Sequence, residues 1–377
     1  MSSTARHALI LVALLATASF AWAAPGKDAT TTSSKAPTLE SAGQLTFGPD
    51  NVLFVADSRG TAIYALDLAD TDKPSDEALP GISDVDEKVA GLLGTTPREV
   101  LIQDIATHPK SKNVYLSVSR GRGDDAAPAI VRVNGKGELS LVELEGVSYT
   151  KAMVTNVPAE DAKDRRGRPL RAMAITDIAY SDGHLYVAGL SNEEFASNLR
   201  KIPYPFTGEM SATSVEIYHG AHGEFETHAP INTLIPYDFE GEAHLLAAYT
   251  CTPLVTFPLD KLEDGKHLKG KTVAELGFGN RPLDMISFTK EGKPYILVLN
   301  SSRGGMKIDP KDIEKAEALV TDEGITRDTP SAGVPYVTLP MGGVLRADNF
   351  DDKHLVVLRR DLNSGGLQLR LWRTEWI

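Results

Sequence analysis

Short apolar strand patterns return in pairs along this chain, each pair split by a polar turn. Gln44-Leu45-Thr46-Phe47 precedes Leu53-Phe54-Val55-Ala56, and Asp104-Ile105-Ala106 precedes Val114-Tyr115-Leu116. The same phrase recurs as Asp177-Ile178-Ala179-Tyr180 with Leu185-Tyr186-Val187-Ala188, and as Thr233-Leu234-Ile235 with Leu245-Leu246-Ala247-Ala248. Asp284-Met285-Ile286 with Ile296-Leu297-Val298-Leu299, and Val344-Leu345 with Leu355-Val356-Val357-Leu358, complete the series. Repeats about 50 to 75 residues apart, each with room for about four short strands, predict the blades of a β-propeller. Six repeats predict an all-β, six-bladed ring around a central channel.

The last repeat supplies three strands, over 343–349, 354–360 and 367–372. A ring must close or leave an exposed strand edge, so a segment near 37–41 is expected to add the outer strand of the final blade, closing the ring with an N-terminal strand. Three interruptions read as short inserted helices. Residues 83–93 carry Val85, Val89, Leu92 and Leu93 at helical spacing with Gly94 as a stop, and 191–199 and 309–319 open on acidic or proline signals.

Residues 1–23 have the form of a secretory leader: Arg6 and His7, an apolar run from Ala8 to Phe20, then Ala21-Trp22-Ala23 with small residues at the cleavage subsites. The expected organisation is a signal peptide over 1–23, a flexible tether over 24–36 and one propeller domain over 37–377, in a periplasmic or secreted product cleaved near Ala23. No later stretch approaches the roughly 18 to 20 apolar residues of a membrane helix. Cys251 is the single cysteine, so no intrachain disulfide forms and stability rests on burial and strand pairing. The net charge of −12 argues against nucleic acid or an anionic membrane as the main partner. A small polar or anionic ligand, or a periplasmic protein, is the partner this balance allows.

In a propeller blade, residues before the first strand and after the second share one rim of the channel, the usual ligand side. Ser58-Arg59-Gly60, Ser119-Arg120-Gly121 and Ser302-Arg303-Gly304 each end a second strand, while Asp104, Asp177 and Asp284 each open a first strand. Arg59, Arg120, Arg303, Asp104, Asp177 and Asp284 are therefore expected around one mouth. They form either a site that grips carboxylate or phosphate through the planar arginine fork, or a network tying neighbouring blades.

Three of the nine histidines fall in the segment from Tyr218 to His228, beside Glu224 and Glu226. His219, His222 and His228, with Cys251 at the end of the next blade's second strand, offer imidazole and thiolate ligands suited to copper or zinc. The alternative is a set of exposed histidines on a polar hairpin. The segment 159–171, with Lys163, Arg165, Arg166, Arg168 and Arg171, is a basic loop on an acidic protein. His108 and His184 are expected as surface groups on the opposite rim. No Gly-x-Ser-x-Gly elbow, phosphate loop or dinucleotide fingerprint is present.

The Asp-Ile-Ala phrase followed by Val-Tyr-Leu or Leu-Tyr-Val-Ala resembles six-bladed propellers of the NHL and SMP-30 (gluconolactonase-like) type, over about residues 41 to 377 as a pattern. Lactonase-like members hold a divalent cation on the channel axis, and the resemblance implies that Asp104, Asp177 and Asp284 take that part, with Gln44 standing where the first blade's acid belongs. NHL-type members implied by the same resemblance act as binding or scaffold modules. The leading expectation is an exported binding or scaffold propeller. The alternatives are a metal-dependent hydrolase or lactonase with an axial cation such as calcium, in which His228 serves as general base, and a copper- or zinc-binding protein.

Overall fold

Each blade's second strand is buried on both faces along most of its length. Val52–Asp57 is buried at every residue, and Val114–Arg120, His184–Leu190, Glu242–Tyr249, Lys293–Asn300 and His354–Arg360 are buried through their middles. A strand with neighbours packed against both sides reads as a continuous apolar run rather than an alternation. That is why phrases such as Leu-Tyr-Val-Ala mark the blades so clearly. The computed structural model describes residues 36–75, 78–250, 253–277, 279–326 and 329–377. The leader expected over 1–23 and nearly all of the tether lie outside the described residues. No helix among the described residues is long and apolar enough to cross a membrane.

The strands form six sheets arranged as a six-bladed propeller, antiparallel except where His267–Lys269 pairs parallel with Ser211–His219, and each paired phrase of the sequence is the inner hairpin of one sheet. Two features depart from a simple succession. The first blade consists of Leu45–Phe47, Val52–Asp57, Ala62–Asp67 and, as its outer strand, Ser148–Met153. The whole second blade, Val100–Thr107, Val114–Arg120, Ala127–Val133 and Leu139–Leu141, is inserted before that outer strand. The inner strand Val100–Thr107 packs against Leu45–Phe47 on one side and against Val344–Asp351 of the sixth blade on the other, while Leu45–Phe47 also meets Asp177–Ser181 of the third blade. Around the ring the order is therefore second, first, third, fourth, fifth, sixth.

Six apolar clusters fill the spaces between neighbouring blades and confirm this order. Leu45, Val55 and Tyr64 pack with Ala106, Tyr115 and Ile130 between the first and second blades. Phe54, Ile63 and Ala152 pack with Ile178, Leu185 and Ile202 between the first and third. Val131 and Val118 pack with Val356, Leu358 and Leu369 between the second and sixth. The fold's hydrophobic stabilisation thus lies between blades, so each blade depends on both neighbours.

Closure differs from the expected N-terminal strand. The sixth blade has three strands, Val344–Asp351, His354–Arg360 and Leu367–Arg373, and its outer edge is met by Ile82, which exchanges two backbone bonds of 2.8 and 2.9 Å with Leu369. Helix α1 (Val85–Leu93) follows, burying Val85, Val89 and Ala90 in the same interface and ending at Gly94 with φ +63°. Residues 37–41 instead lie along the first blade, where the N–H groups of Glu40 and Ser41 each donate to the buried Asp57 carboxylate at 2.8 Å. The second blade stands between the first and sixth, so a strand leaving the first blade's N-terminus does not reach the last. Helix α2 (Pro310–Lys315) forms with Asp309 capping the N–H of Lys311 at 3.0 Å. The expected helix over 191–199 does not form: a turn leads into the strand Ser197–Pro203, claimed by pairing with His184–Leu190.

Leu369, fully buried at this seam, is expected to cost about 2–5 kcal/mol when cut to alanine, while Leu362, 71% exposed, changes stability by less than about 0.5 kcal/mol. Urea denaturation of both variants checks this; equal effects would show that the Ile82–Leu369 seam contributes nothing to closure.

Candidate functional site

Four inner strands carry a register shift near the start: between Ile102 and Asp104, Ile231 and Thr233, Pro282 and Asp284, and Val344 and Arg346. A bulge leaves one residue out of the ladder and re-aims its neighbours. Here Gln103, Asn232 and Leu283 line the mouth of the channel, and Asp104 and Asp284, which follow two of them, face further in. The carbonyls that two of these bulges release are taken by one side chain. Arg346 donates from Nε to the carbonyl of Gln103 at 2.8 Å and from Nη1 to the carbonyl of Leu283, and its Nε lies 3.3 Å from Asp104 Oδ1. The sixth blade thereby holds both of its neighbours through one guanidinium.

The acids that open the first strands form ties in one direction around the ring. Asp104 Oδ2 accepts from the N–H of Leu45 at 2.8 Å, Asp177 Oδ2 from Leu234 at 2.7 Å, and Asp284 Oδ2 from Ala347 at 2.8 Å. Asp348 adds a fourth tie, accepting from Thr107 at 2.6 Å. In each case a carboxylate on one blade satisfies an inner-strand amide on the next. The network of acids expected from the sequence is present, but its cation is Arg346 rather than the arginines of the Ser-Arg-Gly turns.

Those three arginines separate. Arg59 lines the mouth and donates to the carbonyl of Ala126 at 3.2 Å. Arg120 is exposed and does not line it. Arg303 lies over Gly277, where a Cβ would meet its guanidinium at 2.7 Å. The repeated tripeptide is turn chemistry: at Gly60 a Cβ would sit 2.4 Å from Asp57 Oδ2, so only glycine lets that carboxylate approach.

Two cavities follow the channel. The mouth, of about 380 Å³, is lined by Arg59, Arg122, Arg281 and Arg346 together with Gln44, Gln103 and Asn232, and no carboxylate stands among its described lining residues. Asn232 Nδ2 and Thr176 Oγ1, both in this lining, are buried and lack a hydrogen-bond partner among the described residues. The inner cavity, of about 590 Å³, is lined by Asp104, Asp177, Asp284 and Asp348. Burial raises all four carboxyls. Asp177 is pushed up to about 7 by burial and the nearby Asp104, and Asp348 to about 6 by burial. Burial also raises Asp104 and lifts Asp284 well above the usual range, in both against the pull of Arg346. An axial cation would have to compete with Arg346 and with four backbone amides already bound to these oxygens.

The histidine segment is a hairpin at the outer edge of the third blade, away from the channel. Ser211–His219 pairs with Glu224–Glu226, and Glu226 bridges two imidazoles: Oε2 to His219 Nδ1 at 2.9 Å and Oε1 to His222 Nδ1. His228 stands apart, bonded to Thr227 Oγ1 at 3.0 Å, and Cys251 lies outside the described residues. Of the four expected metal ligands, His219 and His222 come together, and Glu226 joins them. His108 is fully buried rather than on the surface; its Nδ1 bonds Ser111, whose hydroxyl, with Asn113 and Tyr115, donates to Asp70 Oδ2 at 2.7–2.9 Å. The basic loop pairs with itself, Arg168 Nε lying 2.6 Å from Asp164 Oδ2.

The fold defines a six-bladed β-propeller. No family model and no curated protein matches the chain. Among solved structures it is similar to two of the plexin A4 full extracellular region, one comprising domains 1 to 10 and one domains 1 to 8. The identities are 11% and 10%, with a TM-score of 0.40 for each and 89% of this chain covered in both. The match takes in 39% and 46% of those chains, so this chain spans less than half their length.

The raised carboxyls have a consequence for stability. Between the ordinary value of 3.8 and about 7, Asp177 holds its proton in the folded chain and loses it on unfolding, so the folded state binds more protons and stability falls as pH rises through this window. Asp177→Asn, which mimics the protonated group, is expected to flatten that fall and to be more stable than the native chain at pH about 8. Urea midpoints at intervals across the window measure it; an unchanged slope would show that Asp177 titrates normally.

Proposed function

We propose that this chain is an exported binding propeller, of the NHL and SMP-30 type in its strand phrases, that takes a small anionic ligand at the mouth of its channel. The carrying observation is the mouth itself: four arginines, three amide side chains and two unpartnered buried polar groups converge on one concavity. Its size falls in the range of small-molecule sites, about 300–1,000 Å³. A carboxylate or phosphate would accept charge-assisted bonds from the guanidinium groups. The amides lining this mouth and the acids below it suit binding and orientation. Export rests on the leader pattern of residues 1–23, which fits a protein that meets its ligand in the periplasm or outside the cell.

Arg281 extends into the mouth without serving the inner ring, which makes it the clean variant. Calorimetry with inorganic phosphate, a dicarboxylate and a sugar acid should find binding of at least one of them, weakened by added salt. Arg281→Ala should lower that affinity at least about tenfold, the worth of one charge-assisted hydrogen bond, with the melting temperature unchanged. No binding at millimolar concentration, or equal binding by the variant, would overturn the proposal.

A further inference from the structure

The hairpin on the third blade holds a set of groups that the channel does not use. His219, His222 and Glu226 present three ligand atoms that all lie within 4.8 Å of one another, and the two imidazole rings stand 3.9 Å apart between centroids. The turn makes this possible. The N–H groups of His222 and Gly223 both donate to the carbonyl of His219, at 3.0 and 2.9 Å, folding His222 back over His219. Gly220 lets the turn seat closely, since a Cβ there would lie 2.5 Å from Ile325 and 3.1 Å from Glu275.

We propose that this hairpin binds one divalent transition-metal ion of the zinc type through His219, His222 and Glu226. Tetrahedral zinc holds imidazole nitrogen and carboxylate oxygen at about 2.0–2.2 Å, which puts the ligand atoms about 3.3 Å apart. The three atoms present need only small side-chain rotations to reach that spacing, and both Nδ1 atoms already point at the same carboxylate. Two nitrogens and one carboxylate oxygen suit zinc, whereas calcium prefers six or more oxygens.

Charge supplies an independent argument. Glu275, on the strand Lys271–Leu276 of the fourth blade, is 1% exposed beside the same turn; its Oε1 accepts from the N–H of Gly220 at 2.7 Å, and its Oε2 has no hydrogen-bond partner among the described residues. A buried carboxylate with one oxygen unsatisfied is costly, and burial pushes the Glu275 carboxyl up to about 7; a nearby cation would favour its charged form. A dication at the hairpin, with neutral imidazoles, would balance Glu226 and Glu275 together. The ion would then rigidify the hairpin at the third blade's edge and leave one coordination position for water or a ligand.

The test is a titration of Zn²⁺ alone into the full chain, against a chromophoric competitor, for the native protein and for His222→Ala, Glu226→Gln and His228→Ala. His222 has its side chain 47% exposed, so its removal leaves the core intact. The expected result is one Zn²⁺ per chain, an affinity at least about tenfold weaker in His222→Ala and Glu226→Gln, and no change in His228→Ala. Substoichiometric binding at micromolar Zn²⁺, undiminished binding by His222→Ala, or a loss confined to His228→Ala would overturn it. Anion binding at the channel mouth is a separate readout that these variants should leave unchanged.

Discussion

One guanidinium sets how the inner strands of this propeller meet. The bulges before Asp104 and Asp284 release the carbonyls of Gln103 and Leu283 from their ladders, and Arg346 takes both while facing the Asp104 carboxylate. Without that cation, two carbonyls and two acids would share a confined space with no donor strong enough to offset their desolvation. With it, the second, sixth and fifth blades are joined where the ring has its closing seam. The same group forms the floor of the mouth, so the feature that completes the fold also gives the mouth part of its positive charge.

The channel is consequently divided by charge. Arginines and amides look outward, and four carboxyls raised by burial look inward. Donors line the mouth, and the acids below it are engaged by backbone amides and, at Asp104, by Arg346. Two of the bulges contribute to this layering: Gln103 and Leu283 are turned to the mouth, and Asp104 and Asp284 after them to the interior.

Much of this was legible in the chain. All six inner hairpins follow from runs such as Leu185-Tyr186-Val187-Ala188, because a strand covered on both faces must be apolar throughout. Asp104, Asp177 and Asp284 were recognisable as equivalent positions, and they do share the channel. Arg346 escaped notice, although Val344-Leu345-Arg346 occupies the same repeat position as the acids and so carried the signal of a paired charge. The blade order was not legible, since strand periodicity is local and says nothing of which sheet Ser148–Met153 will join. The burial of His108 likewise depends on Asp70, a residue 38 positions earlier that only the tertiary fold brings near. For the histidine hairpin, the clustering was visible but the partner was Glu226, because pairing of Ile217 with Glu226 returns that acid to the turn.

The central claim is that Arg346 holds the inner ring together, and its most direct measurement is the stability of Arg346→Gln by urea denaturation at pH 7. Removing the cation leaves Asp104 and the bulge carbonyls uncompensated, so a loss of about 3 kcal/mol or more is expected, along with weaker anion binding at the mouth. A variant as stable as the native chain would contradict the account and reduce Arg346 to one more lining residue.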